Sequence, residues 1–160
     1  MLILGVNATA GKLWLSLVDD SGAQETDPAW LELREGTQAG YAMQAFQSEC
    51  IHMLTALSPD RVVILDMETG GRTPKISDLR NRFSAETLLA FIAADMGVAC
   101  VRLSRATLRS RLALPRKGGL ADHVGEIFSV PVGAHWKRKR DLAALAARAE
   151  IEGQSNADRW

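Results

Sequence analysis

Arg61-Val62-Val63-Ile64-Leu65-Asp66 is the stretch whose reading decides the fold. Val62, Val63, Ile64 and Leu65 form an unbroken apolar run, three of them β-branched, with no polar alternation. Such a run predicts a strand covered on both faces, as parallel strands are. It ends in a carboxylate. Upstream, over 38–57, Ala42, Phe46, Cys50, Met53, Leu54 and Leu57 recur at helical spacing and give one apolar stripe. Ser58-Pro59-Asp60 stops that helix. Downstream, residues 67–82 are polar and Gly-rich and read as a loop. A second helix then opens on Ser84 as N-cap, runs through Leu88, Leu89, Ile92 and Met96, and ends at Gly97. Val98-Ala99-Cys100-Val101 is the next short buried strand. Helix, strand, helix, strand in this order predicts a parallel βαβ arrangement.

Working back to the N-terminus, Leu2-Ile3-Leu4-Gly5-Val6 has the same buried-strand character, followed by a turn at residues 7–11. Leu13, Leu15 and Leu17 alternate with Trp14, Ser16 and Val18 at strand period. Asp19-Asp20-Ser21-Gly22 closes that strand, and Leu31 and Leu33 mark a third over 29–34. Three strands joined by short turns form an antiparallel meander. Towards the C-terminus, Ser104 caps a short helix to about residue 112, and Pro115 follows it. Residues 120–128 suit one more helix. An Ala- and Leu-rich helix spans 138–152 and is stopped by Gly153. The expectation is an α/β fold, β-β-β-α-β-α-β-α, with a mixed five-stranded sheet and helices on both faces. It forms one domain over 1–153, with a polar tail over 154–160.

A chain of 160 residues, 47% apolar and 24% charged, has the composition of a globular domain with a real core. No apolar run approaches the ~20 residues of a membrane span, and no signal peptide is legible, so a cytoplasmic location is expected. Cys50 and Cys100 are too few for a disulfide framework or a metal knuckle. His52, His123 and His135 lack ligand spacing. The net charge of zero conceals a polarity along the chain. Residues 1–60 carry Asp19, Asp20, Glu25, Asp27, Glu32, Glu35, Glu49 and Asp60 against Lys12 and Arg34 alone. From Arg102 to Arg140 only Asp122 and Glu126 oppose a long basic series. The basic half is a candidate nucleic-acid footprint or a solvated charged face.

Four stretches resemble the ribonuclease H-like superfamily, and within it RuvC-type proteins. Ile3-Leu4-Gly5-Val6-Asn7 is similar to the first strand, I-L-G-(I/V)-D. The segment from Pro59 to Asp66 is similar to the fourth strand, which ends in a catalytic acid. The segment from Val101 to Arg109 resembles the fifth strand and the short helix after it. Arg140-Asp141-Leu142-Ala143-Ala144-Leu145-Ala146 resembles the last helix, D-A-x-x-x-A. Length and order also resemble a family of short RuvC-like bacterial proteins of unknown function.

The resemblance implies phosphodiester hydrolysis by two Mg²⁺ or Mn²⁺ ions about 4 Å apart, held by carboxylates from strand one, strand four and the last helix. This sequence supplies Asp66 and Asp141 at two of those positions. Asn7 replaces the strand-one acid and Arg138 the second helix acid, while Glu68 shares the face of Asp66 if the strand continues. The candidate catalytic set is therefore Asp66, Asp141, Glu68 and Asn7, and the metal set Asp66, Asp141 and Glu68. Each also has a structural reading: Asp66 bonding a loop amide, Asp141 as a first-turn acid, Asn7 as a turn residue.

Candidate nucleic-acid contacts are Arg102, Arg105, Arg109, Arg116, Lys117, Lys137, Arg138, Lys139 and Arg140. Arg105 and Arg109 are expected to project from one side of their helix. Trp14 and Trp136 are the tempting stacking residues, though core or interface suits them as well. The loop Gly70-Gly71-Arg72-Thr73-Pro74-Lys75 lacks the phosphate-loop pattern. The incomplete acids favour a degenerate domain that binds nucleic acid or a protein partner. The alternatives are a Mg²⁺- or Mn²⁺-dependent nuclease of DNA or RNA, and a homodimeric interaction module without nucleic acid.

Overall fold

The computed structural model describes residues 1–34 and 38–157. Glu35, counted among the N-terminal acids, lies outside the described residues, as do residues 158–160 of the expected tail. The strands are β1 (Ile3–Thr9), β2 (Lys12–Asp19), β3 (Gly22–Gln24), β4 (Trp30–Glu32), β5 (Arg61–Leu65) and β6 (Ala99–Leu103). The helices are α1 (Ala39–Leu57), α2 (Ile76–Asp95), α3 (Arg105–Arg111), α4 (Val124–Ile127) and α5 (Asp141–Ala157).

The sheet runs β3-β2-β1-β5-β6, with β4 also paired to β2. β1 is antiparallel to β2 and parallel to β5, and β5 is parallel to β6. The α/β class and mixed sheet are as the sequence predicts, but among the described residues the sheet has six strands rather than five. The additional strand, β3, is only Gly22-Ala23-Gln24 and carries no apolar alternation. It forms because the Asp19 carboxylate holds the turn: it accepts hydrogen bonds from the Ser21 and Gly22 amides and from the Gln24 side chain.

The two faces of the sheet bury two cores. Leu4, Val6 and Ala8 of β1, with Leu13, Leu15 and Leu17 of β2 and Val62 and Ile64 of β5, meet Phe46, Cys50 and Met53 of α1 and Leu89 and Ile92 of α2. On the other face Ile3, Val18, Val63, Leu65 and Leu103 meet Leu108 of α3 and Leu142, Leu145 and Ala146 of α5. The Ala richness of α5 lets it lie directly on β1. A Cβ built at Gly5 would sit 1.8 Å from the carbonyl oxygen of Ala143, so only glycine fits beneath the helix.

Three helical regions differ from expectation. α2 starts at Ile76, eight residues before Ser84, so the loop expected over 67–82 shortens to residues 66–75. Its first turns are polar because they face water, and Asp78 there suits the positive end of the helix dipole. The element over 120–128 divides into a 3-10 turn, Leu120–His123, and the single turn of α4. α5 begins at Asp141, after an irregular segment Trp136–Arg140 in which Arg138 has a positive φ of 57°. The helix also continues through Gly153 to Ala157. Gly153 is a packing glycine, since the Arg111 guanidinium occupies the space a side chain would take. Ser104 caps α3 as predicted, its Oγ accepting the Thr107 amide at 3.0 Å. Among the described residues no helix is long and apolar enough to cross a membrane.

Candidate functional site

The C-terminal ends of β1, β5 and β6 share one edge of the sheet, so the loops leaving them surround a common space. That space is an open cleft of about 620 Å³. Asn7 and Thr9 of β1 reach it, as do Met67, Glu68 and Arg72 of the loop after β5. α2 contributes Asp78 and Arg82, α3 contributes Arg105, and the opposite wall carries Asp122 and Arg138. Four guanidinium groups therefore line a cleft with three carboxylates.

Asn7 is 2% exposed, and its Nδ2 donates to the carbonyl oxygen of Lys139 at 3.0 Å. It joins β1 to the segment that launches α5. Asp141 opens α5 and is also 2% exposed. Its Oδ2 accepts the Arg138 amide at 2.9 Å, and its Oδ1 accepts the amides of Lys139 at 2.8 Å and Leu142 at 2.7 Å. Burial raises its pKa above the usual carboxylate value, against the opposing pull of those amides. Both oxygens are thus engaged in holding the turn into α5.

Asp66 is held through its backbone. Its amide donates to Leu103 at 3.0 Å, and its carbonyl accepts Arg105 Nε at 3.0 Å. Glu68 is exposed at the cleft mouth. Burial lowers the pKa of Arg105, with Glu68 opposing and Arg82 reinforcing that shift. Arg82 itself donates to Glu86 at 2.9 Å and to the Leu65 carbonyl at 3.3 Å, while Arg102 takes the other oxygen of Glu86. Of the four candidate catalytic residues, Asn7 and Glu68 line the cleft. Asp66 and Asp141 are not among its lining residues.

The basic residues are dispersed. Arg105 and Arg138 face the cleft, and Arg116, Lys117 and Lys137 are exposed. Arg102 is engaged by Glu86. Arg109, expected to project beside Arg105, instead donates to the carbonyls of Pro115 and Gly118 and braces that loop. Arg140 is expected at the surface but is fully buried. It donates to the Leu15 carbonyl at 2.8 Å, the Ala134 carbonyl at 3.1 Å and Thr26 Oγ1 at 3.1 Å. Lys139 lies over the ring of Trp14, 4.8 Å from its centre.

No family model matches the chain, and no curated protein matches it either. Solved structures do. Thermus thermophilus RuvC in complex with a Holliday junction substrate aligns with a TM-score of 0.68 at 16% identity, over 98% of this chain and 96% of that one. A second T. thermophilus RuvC structure gives 0.70 at 14% identity, over 98% and 97%. The yeast mitochondrial Holliday junction resolvase gives 0.68 at 13% identity, over 99% and 80%. The chain shares the fold of these RuvC structures.

Within this RuvC-type fold the residues present do not fit a two-metal centre. Hard divalent cations need several free carboxylate oxygens. Here Asp141 has both oxygens occupied by amides, Asn7 presents an amide, and Arg82, Arg105 and Arg138 bring positive charge to the same cleft. Among the described residues no group of three His, Cys, Asp or Glu side chains could hold a metal ion. The sequence reading missed Arg72 and Arg82 as cleft residues. Arg82 was hidden by the late start assigned to α2, since a helix starting at Ile76 is what brings it to the wall.

Proposed function

We propose that this chain is a RuvC-like domain that binds nucleic acid through its cleft, with a degenerate acidic site and little or no catalysis. The observation that carries this reading is the state of Asp141. Its carboxylate, at a position where the resemblance implies a metal ligand, is enclosed by three backbone amides. The guanidinium groups of Arg72, Arg105 and Arg138 supply what a phosphate backbone needs, namely charge and forked donors. A related fold solved on a Holliday junction supports nucleic acid as the partner class.

Electrophoretic retention of duplex, single-stranded and four-way junction probes at low salt tests this proposal, alongside cleavage assays with Mg²⁺ and Mn²⁺. Retention without cleavage is expected. Metal-dependent cleavage abolished by Asp66→Asn would favour the nuclease alternative instead. Absence of retention on every probe would remove the nucleic-acid reading.

One observation favours the homodimer alternative. Ile76, Phe83 and Phe91 lie on one stripe of α2 and are 84%, 48% and 66% exposed. The same helix lines the cleft through Asp78 and Arg82, so self-association would place the stripe beside the binding surface.

A further inference from the structure

β2 and β4 place Trp14 and Trp30 opposite one another, with ring centres 5.3 Å apart. His135, from the segment before α5, completes a triangle. Its ring lies 5.5 Å from Trp14 and 5.0 Å from Trp30, edge-on to the latter. Two ammonium groups cover the same rings. Lys12 Nζ is 5.1 Å from the centre of Trp14 and 4.9 Å from that of Trp30, and Lys139 Nζ is 4.8 Å from Trp14. The cluster is anchored from within: Trp14 is buried, and its Nε1 donates to Thr9 Oγ1 at 2.9 Å. Outward, Trp30 is half-buried and His135 exposed.

Three features distinguish this cluster from core packing. An aromatic ring, that of His135, is left in water on a backbone held at a φ of 56°. Glu32, which faces Lys12 across the ladder, is paired with Arg34 instead. Thr9, which bonds Trp14, and Arg138, next to Lys139 in the chain, belong to the cleft wall, so the cluster adjoins the cleft. Aromatic faces flanked by cations are what a flipped or unpaired base and its phosphates require.

We propose that Trp30 and His135 form a stacking subsite for an unpaired nucleobase, with Lys12 and Lys139 set at its flanking phosphates. This rests on the nucleic-acid reading above and adds a preference for strands with unpaired bases. Binding would be measured by fluorescence anisotropy against an oligodeoxythymidine of about twelve nucleotides and a blunt duplex. The variants are His135→Ala, which removes an exposed ring, and Trp30→Ala. Each is expected to weaken single-strand binding about tenfold while changing duplex binding by less than about twofold. Quenching of tryptophan emission by the single strand should diminish in Trp30→Ala. Lys12→Ala should lower the salt dependence of single-strand binding by roughly one phosphate equivalent. Wild-type affinity for the single strand in His135→Ala overturns the proposal, even if Trp30→Ala fails to fold. Equal losses on both probes overturn it as well, because they indicate no preference for unpaired bases. If the unaltered protein retains neither probe, this proposal and the nucleic-acid reading fall together. If it retains the duplex but not the single strand, the stacking subsite alone is excluded.

Discussion

Asn7 and Asp141 illustrate how single residues change what a shared framework of strands and helices can do. Each carries a carboxamide or carboxylate at the position where chemistry is expected, and each is engaged by the backbone that forms the turn into α5. Restoring the acid at the first position should therefore not restore a metal centre. Asn7→Asp replaces a buried donor with a carboxylate facing the Lys139 carbonyl. The expected cost is about 3 kcal/mol, typical of an unpaired buried charge, with no tight Mg²⁺ binding. Urea denaturation and calorimetric titration of the variant check both halves. Arg140→Ala removes three hydrogen bonds from the interior and should cost about 3 kcal/mol in the same urea assay, leaving nucleic-acid retention unchanged at temperatures where the variant is folded. From the sequence alone Arg140 reads as one of four adjacent basic residues. Its burial depends on Leu15 and Thr26, more than a hundred residues away, and no local pattern reports that.

The elements were legible where local chemistry is decisive. Val62 to Leu65 has no polar face to present to water, so its burial follows from composition, and Ser104 caps α3 with its own hydroxyl. They were illegible where tertiary contact overrides a local signal. Gly153 reads as a stop, yet α5 passes through it, and Arg111 packs where a side chain would be. β3 exists because the Asp19 carboxylate accepts bonds that hold its turn, and the polar first turns of α2 resemble a loop. The same α5 carries Glu150, which is 3% exposed and receives Arg61 and Arg111. Burial opposes its charge, but hydrogen bonds from Gln154, Arg111 and Arg61 prevail and hold its pKa below the usual 4.5. A depressed acid pKa stabilises the fold above its unfolded value and loses that contribution as pH falls through the folded one. Thermal melts should therefore show Tm falling below about pH 4.5. In Glu150→Gln that part of the acid sensitivity should be absent.

At the scale of the molecule, α2 serves both proposed surfaces, lining the cleft with Asp78 and Arg82 and presenting an apolar stripe outward. The cleft, with Arg72, Arg105 and Arg138, opens at the C-terminal ends of the parallel strands, where ligands of open α/β sheets bind. The apolar stripe of α2 faces outward from one sheet face. Phe83→Asp with Phe91→Asp should convert any self-associated species to monomer in sedimentation velocity and leave the retention of a duplex probe unchanged. If nucleic acid is bound through the cleft, the slope of log affinity against log salt should become shallower by about one unit for each of Arg105→Ala and Arg138→Ala.

The glycine beneath α5 has a further consequence for how this chain is made. Gly5 and Ala143 meet from elements far apart in the sequence, so β1 leaves the ribosome well before the helix that covers it. Until then Ile3, Val63 and Leu65 have one apolar side exposed, and a nascent chain must either wait or recruit a chaperone to shield it. Stalled chains ending before Asp141 should bind a hydrophobic dye and be digested rapidly, whereas chains extended through α5 should resist both. For this fold, the ordering of synthesis sets when the protein can first exist.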